Sequence, residues 1–209
     1  MWRMFKHGAK PVIGLIGAIG AGKSAAAGCF ASRGGFVIDA DALGHEALRQ
    51  PEIMAAIVSR WGEGVRKSDG SLDRRAIGRI VFANPAERSG LEALVFPCIV
   101  RRITEEIAGG MRNENYRFLV LDAAVLLEAG WNNNVDRIVY VDAPRQMRLA
   151  RLAARSGWIA ADLAAREAAQ WPAETKKGRA DAVLTNDSTH ASLQEQVDSL
   201  LHAWKLMDR

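Results

Sequence analysis

The sequence predicts an α/β fold, a doubly wound parallel sheet of five strands, and three observations carry that prediction. Short apolar runs recur at Val12–Ile16, Phe36–Ile38, Phe118–Leu121, Ile138–Val141 and Ala182–Leu184. Helical spacings of apolar residues separate them, so each strand is followed by a crossover rather than a hairpin. The first run opens directly into a Gly-rich turn and an Ala-rich helix.

The elements follow in order. Val12–Ile16 is an unbroken apolar run, which suits a strand buried on both faces. Lys23–Ser32 reads as a helix, stopped by Arg33-Gly34-Gly35. Phe36-Val37-Ile38 is the second strand, closed by Asp39-Ala40-Asp41. Residues 42–115 carry helical spacings at Glu46–Leu48, Ile53–Trp61, Arg74–Phe82 and Leu91–Ile107, with turns at Ser68-Asp69-Gly70 and Asn84-Pro85. A simple crossover needs only about a dozen residues, so this stretch reads as an inserted helical subdomain. Arg117–Leu121 resumes the sheet and ends at Asp122; Arg137–Val141 ends at Asp142. Residues 145–179 are helical and rich in Arg, Lys and Ala. Ala182–Leu184 is the fifth strand, ending at Asn186, and Ser192–Leu206 is a closing amphipathic helix. The chain therefore reads as one domain over residues 1–209: a core of about 11–44, 116–144 and 180–209, an insert of about 45–115, and a further helical segment of about 145–179.

Composition narrows the class. With 209 residues, 49% hydrophobic and 25% charged, the chain supports a sizeable core. A net charge of +4 without a Lys/Arg run of five gives no reason to invoke nucleic acid; a small anionic substrate accounts for it equally well. Cys29 and Cys98 have no metal-ligand spacing, so reduced thiols and a cytoplasmic location are expected. The basic start followed by Pro11–Ile19 resembles a leader, but Gly14 and Gly17 break the apolar run and it flows into the Gly-rich turn. No apolar stretch reaches the ~18 residues of a membrane span. Met1 and Met4 both qualify as the start. A monomer or small homo-oligomer is expected.

Gly17-Ala18-Ile19-Gly20-Ala21-Gly22-Lys23-Ser24 has the full phosphate-loop pattern between a strand and a helix. Its glycines let backbone N–H groups curl round an anion, and the helix start adds a favourable dipole. Lys23 is placed to reach the β- and γ-phosphates of ATP, and Ser24 to ligate Mg²⁺. Asp122 closes an apolar strand, where an acid helps hold Mg²⁺ or its waters. Asp39 and Asp41 follow the second strand, at the same edge of the sheet. An alcohol acceptor must lose a proton, and a nearby carboxylate can take it. Asp41 is the chosen base; Asp39 positions water, metal or Asp41. Arg148, Arg151 and Arg155 share one helix face and suit a lid over transferring phosphate. Trp131, Trp158 and Trp171 read as packing residues.

With these elements in this order, the chain resembles the dephospho-CoA kinase family. Those P-loop kinases phosphorylate the 3′-hydroxyl of the dephospho-CoA ribose with ATP and Mg²⁺. The resemblance runs from Val12 to about Asn186. It rests on Ile13-Gly14-Leu15-Ile16-Gly17 with the phosphate loop, and on Val37-Ile38-Asp39-Ala40-Asp41. In the insert it rests on Gly70-Ser71-Leu72-Asp73-Arg74, Val81-Phe82, Arg88, Leu91-Glu92 and Pro97-Cys98-Ile99. Beyond it come Asp122 with Leu126-Leu127-Glu128, Arg151-Leu152, Arg155, Arg166, Gln170, Pro172, Lys176 and Ala180-Asp181 with Asn186. The resemblance implies Asp41 as general base and catalytic roles for Lys23 and Arg151. It implies ATP contacts for Gly17–Ala25, Arg155 and Asn186, and acceptor contacts for Asp39, Asp41, Arg74, Arg88 and Pro97. The insert would then bind the acceptor and residues 145–179 form the lid. Four departures stand out: Phe96 where His is usual, Ala123-Ala124 where the family has Val-Pro, Ala25 in place of Thr, and Arg148 in place of Gln.

Other readings share the loop: an alcohol kinase of the shikimate or gluconate type, or a CoA- or nucleotide-binding relative without catalysis. Asp41-Ala42-Leu43-Gly44 formally matches the Asp-x-x-Gly of GTPases, but Thr185-Asn186-Asp187-Ser188 lacks the lysine of a guanine-reading segment.

Overall fold

The computed structural model describes residues 6–7 and 10–207; the start at Met1 or Met4 lies outside them. The strands are β1 (Val12–Gly17), β2 (Gly35–Asp39), β3 (Phe118–Asp122), β4 (Arg137–Asp142) and β5 (Ala182–Thr185). They form one all-parallel sheet in the order β2-β3-β1-β4-β5. β1 and β3 are buried along their whole length, which is why both read as continuous apolar runs rather than alternating ones.

The helices are α1 (Lys23–Ala31), α2 (Ala40–Ala47), α3 (Pro51–Trp61), α4 (Arg74–Ala83), α5 (Pro85–Arg112), α6 (Arg145–Ser156), α7 (Ala160–Glu167), α8 (Ala173–Lys177) and α9 (His190–Ala203). The chain divides into two compact units, one running to Asp39 and resuming at Glu106, the other spanning Ala40–Glu105.

In the first unit, α1 and α9 cover one face of the sheet. Ala26, Cys29 and Phe30 of α1 meet Leu193, Val197 and Leu201 of α9 around Ile13, Leu15 and Val139. Arg33, just past α1, forks onto Asp198 of α9 at 2.6 and 2.8 Å. That fork is the main reason the Asp198 carboxyl is held below its ordinary range. The Thr189 side chain caps α9 by accepting from the Ser192 N–H at 3.2 Å. Thr189→Ala is expected to cost about 1 kcal/mol, read as a lower urea midpoint at unchanged slope.

The second unit has its own core of Ile57, Val65, Leu72, Ala76, Ile77 and Val81. The Glu87 carboxylate accepts from Arg60 Nε and Trp61 Nε1, both at 2.8 Å, tying α3 to α5. Asp73 caps α4 through the N–H groups of Arg75 and Ala76. The four helical spacings of the insert all form helices, but two are longer than expected. α2 starts at Ala40, so Asp41 lies in a first helical turn and not in a loop. α5 starts at Pro85, a favoured first-turn residue, and runs through Pro97. Both cysteines are free thiols. Among the described residues, no helix is long and apolar enough to cross a membrane.

Candidate active site

The site is built where β1 turns into α1. At Gly17 a Cβ would lie 2.6 Å from the Val141 carbonyl oxygen, so only glycine lets β1 leave the sheet beside β4. Gly22 stands at φ 93°, and a Cβ there would fall 2.1 Å from Asn186 Nδ2. These two glycines are therefore required by close approach and by backbone hand. The turn closes on itself through the Ala21 N–H to the Ala18 carbonyl at 3.0 Å. α1 then starts at Lys23, presenting its free N-terminal amides.

Lys23 Nζ lies 3.2 Å from Asp122 Oδ1. Asp122 is 8% exposed and is the partner of both Leu15 on β1 and Asp39 on β2 in the sheet register. Paired residues of parallel strands sit about 4.8 Å apart, so Asp39 and Asp122 form an acidic pair at the carboxyl edge. The sequence placed both there, and the register joins them. Ser24 and Ala25 are exposed in the first turn of α1.

The opposite wall comes from β4, β5 and the segment between them. Asn186, 8% exposed, donates from Nδ2 to the Ala21 carbonyl at 2.8 Å. Arg151 donates to the Asn186 carbonyl at 2.9 Å and to the Ala21 carbonyl at 3.4 Å. Arg155, one turn on, is exposed. Arg148 differs from the shared arginine face that the spacing suggested. It is 7% exposed and bonds the Ile19 and Ala143 carbonyls. It sits four residues before buried Leu152, on the interior stripe of α6, and an arginine there must find acceptors inside.

A cavity of about 110 Å³ adjoins the loop, lined by Gly17, Ala18, Ile19, Tyr140, Glu167 and Lys176 among others. Burial chiefly, with Asp142 second, pushes the Tyr140 hydroxyl up to about 12. Tyr140 therefore stays a neutral phenol near pH 7 and is no candidate base. Lys176 is 2% exposed. Its Nζ lies 2.7 Å from Glu128 Oε1, and it donates to the Ala124 carbonyl at 2.9 Å and to Gln170 Oε1 at 3.0 Å. Reasoning from residue chemistry missed Lys176, Glu167 and Tyr140. The legible signal was the Gln170-to-Lys176 spacing, quoted only through the family resemblance. Trp131 is buried, and Trp158 carries the Arg166 guanidinium 4.2 Å above its ring.

The remaining expected residues lie in the second unit. Asp41 is exposed in the first turn of α2, two residues along the chain from Asp39. Arg74 is the exposed first residue of α4. Arg88 Nε stands 3.8 Å from Glu92 on α5, and Pro97 is exposed on that helix.

Sheet order, loop and the Lys23–Asp122 pair define a P-loop phosphotransferase fold that grips nucleotide phosphates. The sequence pattern described as "Dephospho-CoA kinase" matches residues 11–192, and the chain belongs to the dephospho-CoA kinase family. It is 41% identical to a dephospho-CoA kinase of Symbiobacterium thermophilum over 197 residues, 93% of this chain and 80% of that relative. It is 40% identical to the one of Thiobacillus denitrificans over 190 residues, 90% of this chain and 92% of that relative. A crystal structure from Thermus thermophilus superposes with a TM-score of 0.77 at 35% identity, over 93% of this chain and 97% of that one. A shikimate kinase of Acinetobacter baumannii shares the fold, with a TM-score of 0.53 at 17% identity over 95% and 96% of the two chains.

Proposed function

We propose that this chain transfers the γ-phosphoryl group of ATP to the 3′-hydroxyl of dephospho-CoA, giving coenzyme A and ADP. The observation that carries the reading is the Lys23–Asp122 pair beside Asp39 at the mouth of the phosphate loop, in a chain of this family. Lys23 offsets the charge of the β- and γ-phosphates, and the loop's amides grip them. The acceptor oxygen attacks phosphorus, the bond to the β–γ bridging oxygen breaks, and the acceptor's proton passes to the Asp41 carboxylate. Asp39 orients Asp41 or a water. Arg151 and Arg155 offset charge on the group in flight, and Asn186 serves the nucleotide. Arg74, Arg88 and Pro97, in an insert of about 45–115, contact the acceptor. Residues 145–179 act as a lid.

Mg²⁺ fits the donors present. A hydroxyl from Ser24 and a carboxylate from Asp122 are hard oxygen ligands. Among the described residues no cluster of three or more His, Cys, Asp or Glu forms a metal cage. That suits an ion that arrives with the triphosphate and keeps waters of its own. When bound, it supplies charge neutralisation to the phosphates. A cytoplasmic monomer or small homo-oligomer completes the proposal.

The test is a steady-state assay with ATP, Mg²⁺ and a panel of dephospho-CoA, shikimate and gluconate. The expected result is coenzyme A from the first acceptor alone, abolished by EDTA and restored by added Mg²⁺. Folded protein that forms no coenzyme A above background overturns the proposal; turnover unaffected by EDTA overturns the metal.

A further inference from the structure

The buried polar side chains around the phosphate loop point at its carbonyls, not at its amides. Arg148 Nη1 donates to the Ile19 carbonyl at 3.1 Å and lies 2.8 Å from Glu167 Oε1; its Nε donates to the Ala143 carbonyl at 3.2 Å. Asn186 and Arg151 hold the Ala21 carbonyl in the same manner. A trans peptide unit keeps its C=O and N–H antiparallel, and the described residues contain no cis bond. Fixing the Ile19 carbonyl therefore fixes the Gly20 N–H, and fixing the Ala21 carbonyl fixes the Gly22 N–H. Both amides therefore point to the side opposite the braces, and amides held so are what a phosphate loop offers an anion.

The loop needs such support. Gly20 and Gly22 stand at φ 78° and 93°, and glycine adopts either hand readily, so the sequence of the turn does not by itself fix these peptides. A guanidinium held on three acceptors does. Glu167 supplies the counter-charge without which a buried arginine is costly. It is the last residue of α7, in the segment read as a lid, and it lines the same cavity as Gly17, Ala18 and Ile19.

We propose that Arg148 and Glu167 are positioning residues that set the Ile19–Gly20 peptide for the triphosphate, with Glu167 acting through Arg148. The end of α7 and the phosphate loop are thereby ordered together. The inference rests on the reading of the loop as the ATP site, and it is independent of which alcohol accepts the phosphoryl group.

Calorimetry tests it without any acceptor, using a non-hydrolysable ATP analogue and AMP, which lacks the β- and γ-phosphates. Arg148→Gln and Glu167→Gln are each expected to weaken the analogue about five- to tenfold, a loss on the scale of one hydrogen bond, with AMP affinity changed less than about twofold. The double variant is expected to bind the analogue no more weakly than Arg148→Gln alone. A purely structural pair lowers both affinities together. Equal losses for analogue and AMP, unchanged analogue affinity in a folded variant, or effects that multiply in the double variant overturn the brace. Should Arg148→Gln fail to fold, Glu167→Gln alone decides: its analogue-to-AMP preference falls, or the brace is wrong. A parent protein that binds the analogue but makes no coenzyme A sinks only the acceptor reading. One that binds no analogue sinks the ATP reading and the brace with it.

Discussion

Asp41→Asn is expected to lower dephospho-CoA turnover by about 10²–10⁴ while leaving ATP affinity within about twofold. The size follows from the acceptor. A ribose hydroxyl is a poor nucleophile until its proton leaves, and asparagine keeps the shape of aspartate but accepts no proton. The small change in ATP affinity follows from the proposed grip on the phosphates, by the loop amides and Lys23, which Asp41 does not adjoin in the chain. Asp41 is exposed in the first turn of α2, so the substitution leaves no buried charge behind and folding is preserved. Asp39 is the natural competitor for the role, since it pairs in register with Asp122. Asp39→Asn distinguishes them. If Asp39 were the base, its variant would show the larger fall in kcat; if it orients metal or water, the loss is smaller and appears partly in KM. An Asp41→Asn enzyme with parental kcat excludes Asp41 as the base.

Much of this arrangement was legible because a parallel sheet writes itself plainly. β1 and β3, buried on both faces, appear as unbroken apolar runs, and all five strands were located to within a residue or two. The phosphate loop is a local device, so spacing alone revealed it. What resisted reading depends on contacts between residues far apart in the chain. Asp39-Ala40-Asp41 read as the close of the second strand, with helical patterning only from residue 42. The helix that starts at Ala40 is fixed by residues further on, with Leu43 and Ala47 buried on one face. Arg148 matched Arg151 and Arg155 in spacing, and periodicity cannot tell an exposed cationic stripe from an arginine that finds Ile19, Ala143 and Glu167 inside. The spacing Leu91–Ile107 already ran through Pro97; what it missed was the start of α5 at Pro85, where Asn84-Pro85 read as a turn. A proline in the first turn lacks only an N–H that has no intrahelical partner, so Pro85 opens the helix it was read as interrupting.

Lys176→Met is expected to destabilise the fold by about 3–5 kcal/mol, because it removes one partner of a buried ion pair and strands the other. All three protons of the Lys176 ammonium have acceptors: Glu128 Oε1, the Ala124 carbonyl and Gln170 Oε1. Methionine fills most of the volume but donates to none of them. The Glu128 carboxylate would keep the Trp171 N–H at 3.0 Å, while its Oε2 is already buried without a hydrogen-bond partner among the described residues. One amide bond does not offset a carboxylate held away from water. Urea denaturation should show a much lower midpoint, and parental stability in Lys176→Met would refute the assignment. Adding Glu128→Gln removes the stranded charge, so the double variant should recover more than half of the lost stability. Turnover should not recover with it. Ala124 lies two residues beyond Asp122, and Gln170 lines the cavity beside Gly17, Ala18 and Ile19. The ammonium therefore ties the chain leaving β3 to the wall over the phosphate loop, a link that neither methionine nor glutamine replaces. A double variant that regains both stability and kcat would reduce Lys176 to a packing residue.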